Sequence, residues 1–307
     1  MDTRSITSER LSQSVIAVPP LARSNDLNVN RPANGDMIRY LEQGGITTLL
    51  YGGNAVFYHI ALAEYAETLQ MLVETSGDNT LVIPSAGPAY GTLMDQAEIL
   101  KNFDFPTTMV LPQLDVATPA GRASGLRHFA DRYDKPVVLY IKHEGYMDVD
   151  SVQKLMSDGV IAAIKYAIVR DDPNDDTYLR ELVDTIGPEV VVSGIGEQPA
   201  IAHMKNFGLA GFTSGCVCVA PRLSMQMLAA CREQRWDDAE TLRKRFVELE
   251  DLRNAIHPIR VLHEAVSAAG ICQSGPITPL LSALDAPDVE AVTHAAQSLW
   301  ALEKTEA

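Results

Sequence analysis

Cysteine is scarce in this chain: four in 307 residues, Cys216, Cys218, Cys231 and Cys272. That is too few to staple a chain of this size, and no Cys-x-x-Cys pair occurs, so a disulfide scaffold is excluded. The Cys216-x-Cys218 pair has no histidine within a few residues, which leaves a zinc site unsupported. Its setting in the apolar run GFTSGCVCVA suits two small buried hydrophobes. Basic residues are in deficit as well: 25 Lys and Arg stand against 40 Asp and Glu, for a net charge of -15. Without a clustered basic surface, no nucleic-acid partner is expected. No stretch approaches the roughly 18 apolar residues of a membrane helix. The N-terminal MDTRSITSERLSQS is polar and lacks the apolar core of a secretory signal, so a cytoplasmic protein without a membrane partner is expected. Low-complexity sequence is missing too, and nothing announces a second domain with its own core.

What is present is an ordinary globular composition, 46% hydrophobic and 21% charged. Short apolar or β-branched runs recur at 14–18, 46–51, 80–85, 107–112, 136–141, 160–165, 189–194 and 210–215. They are continuously apolar rather than alternating, as strands buried on both faces of a parallel sheet should be. Segments of helical spacing separate them, at 59–77, 94–102, 121–132, 149–156, 177–186 and 198–207. Eight β/α units fit a closed (β/α)8 TIM barrel of about 250 residues better than an open sheet. After Pro221-Arg222 only helical segments follow, at 223–234, 236–256, 258–269 and 288–303. The first completes a barrel over 1–234, and the other three make a C-terminal helical extension over 235–307, broken at Pro258 and at Gly275-Pro276.

In a barrel, chemistry belongs at the C-terminal strand ends. Lys165 ends the run Val160-Ile161-Ala162-Ala163-Ile164. Desolvation there favours the neutral amine that attacks a ketone, whereas a rim lysine in water would do nothing of the kind. Tyr140 ends the preceding run, as a proton relay or as an amphipathic packing residue with a wet tip. Gly52-Gly53-Asn54-Ala55 follows the second run, and its amides suit either a carboxylate or only a tight turn. Ser193-Gly194-Ile195-Gly196-Glu197 follows the seventh, as contacts to the distal end of a substrate or as a glycine-capped strand exit.

These residues, in this order, resemble the dihydrodipicolinate synthase/N-acetylneuraminate lyase family over nearly the whole chain. Gly52 to Ala55 stands where that family has its Gly-Thr-Thr-Gly-Glu-like loop. Leu139-Tyr140 is similar to Leu-Tyr-Asn, Ile164-Lys165-Tyr166-Ala167 to Gly-Ile-Lys-Glu-Ala, and Ser193-Gly194 to Ser-Gly-Asp. Gly211 to Arg222 resembles its Gly-Val-Ile-Ser…Asn-Val-Ala-Pro-Arg segment, and His257-Pro258-Ile259 its Asn-Pro-Ile helix start. The resemblance implies that Lys165 forms an imine with a 2-oxo acid, that Tyr140 relays protons, and that the Gly52–Ala55 loop holds the carboxylate. It further implies a metal-independent lyase without a cofactor, an aldolase or dehydratase for pyruvate or a keto-deoxy sugar acid, assembled as a homotetramer or dimer.

The departures narrow this. Gly53-Asn54 replaces the family's adjacent hydroxyls, no arginine follows Tyr140, and Leu111-Pro112-Gln113-Leu114 lacks the tyrosine pair. The synthase reaction itself is therefore not expected. In place of the missing groups stand Lys142, His143 and Glu144. His143 is either a general acid or base on the substrate or a loop histidine bonded to a carbonyl. The competing reading is a non-catalytic or sensory protein of the same fold that binds a small acid reversibly.

Overall fold

In the computed structural model, which describes residues 1–305, eight strands close into a barrel in sequence order. They are β1 (Ile16–Ala17), β2 (Thr48–Tyr51), β3 (Leu81–Ala86), β4 (Met109–Val110), β5 (Val137–Ile141), β6 (Ile161–Tyr166), β7 (Val191–Ser193) and β8 (Gly211–Ser214). Each lies on one of the eight apolar runs, and β1 closes the ring by parallel pairing with β8. The runs are continuously apolar because each strand is covered on both faces: every residue of β2, β3, β5, β7 and β8 is buried.

One helix follows each strand: α2 (Arg31–Gln43), α3 (Leu62–Thr75), α4 (Tyr90–Leu100), α5 (Pro119–Tyr133), α6 (Val149–Ser157), α7 (Thr177–Ile186), α8 (Ala200–Phe207) and α9 (Pro221–Arg232). Two helices lie outside the segments read from spacing, α2 and the N-terminal α1 (Ser8–Gln13). The apolar stripe of α2 is interrupted by Asn34 and Gly35, which are both buried. The Asn34 amide bonds the Ala22 backbone N–H and C=O at 2.9 Å each, so a polar side chain fills a core position. Leu11 of α1 is buried at the barrel's N-terminal end, where a Cβ on Gly211 would stand 3.4 Å from its carbonyl.

The extension holds four helices, α10 (Trp236–Arg243), α11 (Val247–Ala255), α12 (Pro258–Ala268) and α13 (Ala286–Thr305). The single helix expected over 236–256 is thus two. No proline or glycine marks the break, but the two halves serve different neighbours: α10 packs on α9 and α8, and α11 on α12 and α13. Phe246, fully buried at the junction, enters a second core with Leu249, Val261, Val292 and Leu299. That core also takes in Cys216, Val219 and Leu223 from the end of β8 and α9, which fastens α11 and α12 to the barrel. All four cysteines are free and buried. Among the described residues, no helix is long and apolar enough to cross a membrane.

Candidate active site

Strand alternation sends Lys165 into the barrel. Successive β6 residues face opposite ways, and Tyr166 looks outward, its hydroxyl donating to Asp176 and its ring stacked on Tyr178 of α7. Register pairs Tyr140 on β5 with Lys165 on β6, and the Lys165 ammonium stands 4.2 Å from the centre of the Tyr140 ring. Both side chains are 7% exposed. Burial, reinforced by the nearby charges of Lys142 and Arg253, pushes the Lys165 ammonium down from its ordinary 10.5 to about 7. A large share of the amine is then neutral at physiological pH. Burial pushes the Tyr140 phenol up, so it stays protonated and able to donate.

Lys165 and Tyr140 line a cavity of about 280 Å³ at the C-terminal mouth, together with Gly53, Asn54, Gly194 and Thr213. A wider depression of about 760 Å³ lies between α4 and α5. Its Arg122 is occupied with the carbonyls of Gln113, Leu114 and Tyr146, and no lysine or cysteine lines it.

The other candidates divide. Gly53 and Asn54 line the cavity, and Asn54 Nδ2 donates to the Val18 carbonyl at 2.8 Å, which fixes the loop to β1. Gly52 lies behind them, where a Cβ would meet Met109 at 2.8 Å and Ser85 Oγ at 3.0 Å; Ala55 is buried. Gly194 lines the cavity against Lys165, while Ser193 faces the helix layer and bonds His203 Nδ1 on α8 at 2.8 Å. Alternation explains this: Ser193 pairs with outward-facing Tyr166, not with Lys165. Glu197 is likewise outside the cavity lining, fully buried, accepting from Ser214 and Ser224 hydroxyls at 2.7 Å each. His143 is exposed and does not line the cavity, and Glu144 pairs with Arg170 at 2.6 Å.

The sequence reading did not single out Arg253, which α11 brings to the cavity rim. Only a glycine at 215 leaves room for it, since a Cβ there would stand 2.8 Å from the guanidinium carbon. Behind it Glu197 and Glu250 meet, both fully buried, and burial raises both carboxyls. The Glu197 backbone N–H donates to Glu250 Oε1 at 3.0 Å. The serine hydroxyls on Glu197 counter the rise of its carboxyl, whereas the charge of Glu197 raises Glu250 further. With Cys216 these two form the one group among the described residues with metal-ligand spacing, but the Arg253 guanidinium, 3.9 Å from Cys216 Sγ, already supplies a cation there. His257 lines the cavity too, its Nδ1 capping α12 by accepting from Ile259 and Arg260 amides at 3.3 and 3.4 Å. That leaves the ring proton on Nε2.

Fold and site together define a (β/α)8-barrel protein with its ligand cavity at the C-terminal mouth, the position at which barrels of this kind carry out their chemistry. The chain belongs to the dihydrodipicolinate synthetase family, whose model matches residues 12–295. A probable 5-dehydro-4-deoxyglucarate dehydratase of Acinetobacter baumannii (strain AB307-0294) is 21% identical over 292 residues, covering 91% of this chain and 93% of that protein. The dihydrodipicolinate synthase of Acinetobacter baumannii, crystallised with pyruvate, superposes with a TM-score of 0.82 at 16% identity, over 94% of this chain and 99% of that one. A catalytic-lysine mutant of the Ruminococcus gnavus sialic acid aldolase superposes with a TM-score of 0.83 at 14% identity, over 99% of both chains. Relatives thus include lyases of both the dehydratase and the aldolase kind.

Proposed function

We propose that this protein is a Schiff-base lyase in which Lys165 condenses with the ketone of a 2-oxo acid. The observation that carries the reading is the buried Lys165 amine, lowered to about 7, in a cavity it shares with the Tyr140 phenol. Neutral Nζ attacks the C2 carbonyl, and Tyr140 hands a proton to the carbinolamine oxygen, which leaves as water. The protonated imine then accepts the electron pair released at C3. Cleavage of the C3–C4 bond gives an aldolase; loss of a C3 proton followed by departure of a hydroxide from C4 gives a dehydratase. The Gly53–Asn54 turn is the place for the C1 carboxylate, because its backbone approaches the cavity without a side chain at 53.

Incubation with pyruvate and cyanoborohydride tests this, and a reduced pyruvyl adduct on Lys165, located by peptide mass spectrometry, is expected. An unmodified Lys165 across a panel of 2-oxo acids would sink the proposal. The initial trapping rate should rise with pH through an inflection near the lysine value of about 7 and level off above it, since the neutral amine is the reactive form. Lys142→Gln removes a like charge, so its inflection should move to higher pH; an unmoved profile counts against the electrostatic account. Tyr140→Phe keeps the ring beneath the ammonium and loses the relay. It is expected to slow adduct formation by about 100-fold, the lower range for general acid–base assistance, with pyruvate affinity changed much less.

A further inference from the structure

His257 stands where an asparagine begins the corresponding helix in the family motif, and the exchange adds a group that capping does not use. α12 opens His257-Pro258, and proline has no N–H to satisfy at the first helical position. The next two amides, of Ile259 and Arg260, donate to His257 Nδ1 at 3.3 and 3.4 Å. An asparagine oxygen serves that purpose equally well. The imidazole is longer, and with Nδ1 accepting, its proton is on Nε2 at the outer edge of the ring. No described residue accepts from Nε2, and the ring lines the same cavity as Lys165 and Tyr140.

The tautomer is held from several sides. Two amides aimed at Nδ1 leave no place for a second ring proton, and the helix dipole disfavours a cation at the start of α12. Burial, with the charges of Arg260 and Lys142, lowers the imidazolium below its ordinary 6.5. His257 is therefore neutral and fixed in sense: it donates through Nε2 and accepts nothing from a ligand. A hydroxyl such as that of Thr213, which lines the cavity as well, can rotate to donate or accept and so does not discriminate in this way.

With C1 at the Gly53–Asn54 turn and C2 on Lys165, the wall formed by Arg253, His257 and Ile259 is left for the atoms beyond C3. We propose that His257 recognises an oxygen on C4 of the substrate, donating to it through Nε2, so that the site selects 2-oxo acids hydroxylated at C4 over those that carry only hydrogen there. This deepens the imine reading and rests on it. Because Nδ1 is spent on the helix, the ring holds such a hydroxyl without deprotonating it.

Competition at Lys165 tests the assignment. The full chain is incubated with equal concentrations of 2-oxopentanoate and 4-hydroxy-2-oxopentanoate in cyanoborohydride, and the reduced adducts are compared by mass. Pyruvyl and dehydrated adducts can come only from the hydroxy acid and are counted with it. Wild type should favour the hydroxy acid by about fivefold, within the range for one neutral hydrogen bond. His257→Asn and His257→Ser both keep a capping side chain. Their melting temperatures and their trapping of pyruvate, which has no C4, should match wild type while the ratio falls to near one. A wild-type ratio near one overturns the proposal, and so does a ratio that persists in both variants. Pyruvate trapping that falls as far as hydroxy-acid trapping also overturns it, because the role of His257 would then be structural. If neither acid leaves an adduct, the imine reading fails by itself, and calorimetric titration of the same two acids decides the rest. A difference of about fivefold that His257→Asn removes keeps the donor assignment, and equal affinities sink it too.

Discussion

Lys165→Met is expected to abolish adduct formation and, at the same time, to make the protein more stable near neutral pH. The first effect is the loss of the nucleophile, and turnover should fall by roughly 10³-fold or more, as when a covalent catalyst is removed elsewhere. The second follows from linkage. The amine has a folded-state value of about 7 against an ordinary 10.5, so the unfolded chain binds the proton more strongly than the folded one. The cost to the folded state is complete below pH 7 and fades as pH rises toward 10.5. Near pH 7 it is about 4 kcal/mol, from the shift at 1.36 kcal/mol per unit. The ammonium's contact with the Tyr140 ring, 4.2 Å away, returns about 1–2 kcal/mol. A net gain on the order of 2–3 kcal/mol is left for methionine, which has similar length and no charge. Melting temperatures of wild type and variant should therefore differ at pH 7 and converge at pH 10. Equal or lower stability of the variant at pH 7 would show that the lysine is not held against a desolvation penalty.

The barrel was legible because its strands are buried on both faces, which writes each of them as an unbroken apolar run. Lys165 and Tyr140 were legible for the same reason, as polar interruptions at the ends of such runs. Ser193 and Glu197 show where this reading stops. A strand-end position says that a residue is near the mouth, but not whether it faces the lumen, and β7 is too short to reveal its alternation from sequence. Register decides: Ser193 aligns with Tyr166 and turns to His203. Glu197 lies beyond the strand altogether, and two serines from β8 and α9 hold it in the layer beneath α11. Arg253 had no local signal at all. It lies in the acidic amphipathic stretch VELEDLRNA, where an arginine three residues after Glu250 looks like a solvated helix pair. Its approach to the cavity depends on the turn at 244–246 and on the glycine at 215, two features separated in sequence and joined only by packing.

Gly194→Ala is expected to damage the site more than the fold. A Cβ at 194 would lie 2.7 Å from the Tyr166 carbonyl, 2.8 Å from Ala167 Cβ and 3.0 Å from Lys165 Cγ. The first two are parts of the β6 exit that no rotamer change can move, and the Gly194 amide already bonds that same carbonyl at 2.6 Å. The methyl group must push β6 and β7 apart at the point where Lys165 leaves the sheet. Overpacking of this kind costs about 1–3 kcal/mol, which a chain with this much buried core withstands. Displacement of the amine by a fraction of an ångström to an ångström is more serious, because misplacing a reacting group by about 1 Å can cost 10²-fold in rate. The control is Gly208→Ala, at the end of α8, where φ is +72° and the nearest atoms belong to Pro188 at 3.4 Å. There the left-handed backbone alone is penalised, by about 1 kcal/mol, with no path to Lys165. Trapping rates and melting temperatures for the two variants should separate: a comparable loss of stability in both, and a loss of about 10²-fold in rate confined to Gly194→Ala. A Gly194→Ala protein that melts lower yet forms the adduct at the wild-type rate would mean that the β6 exit yields without moving the lysine.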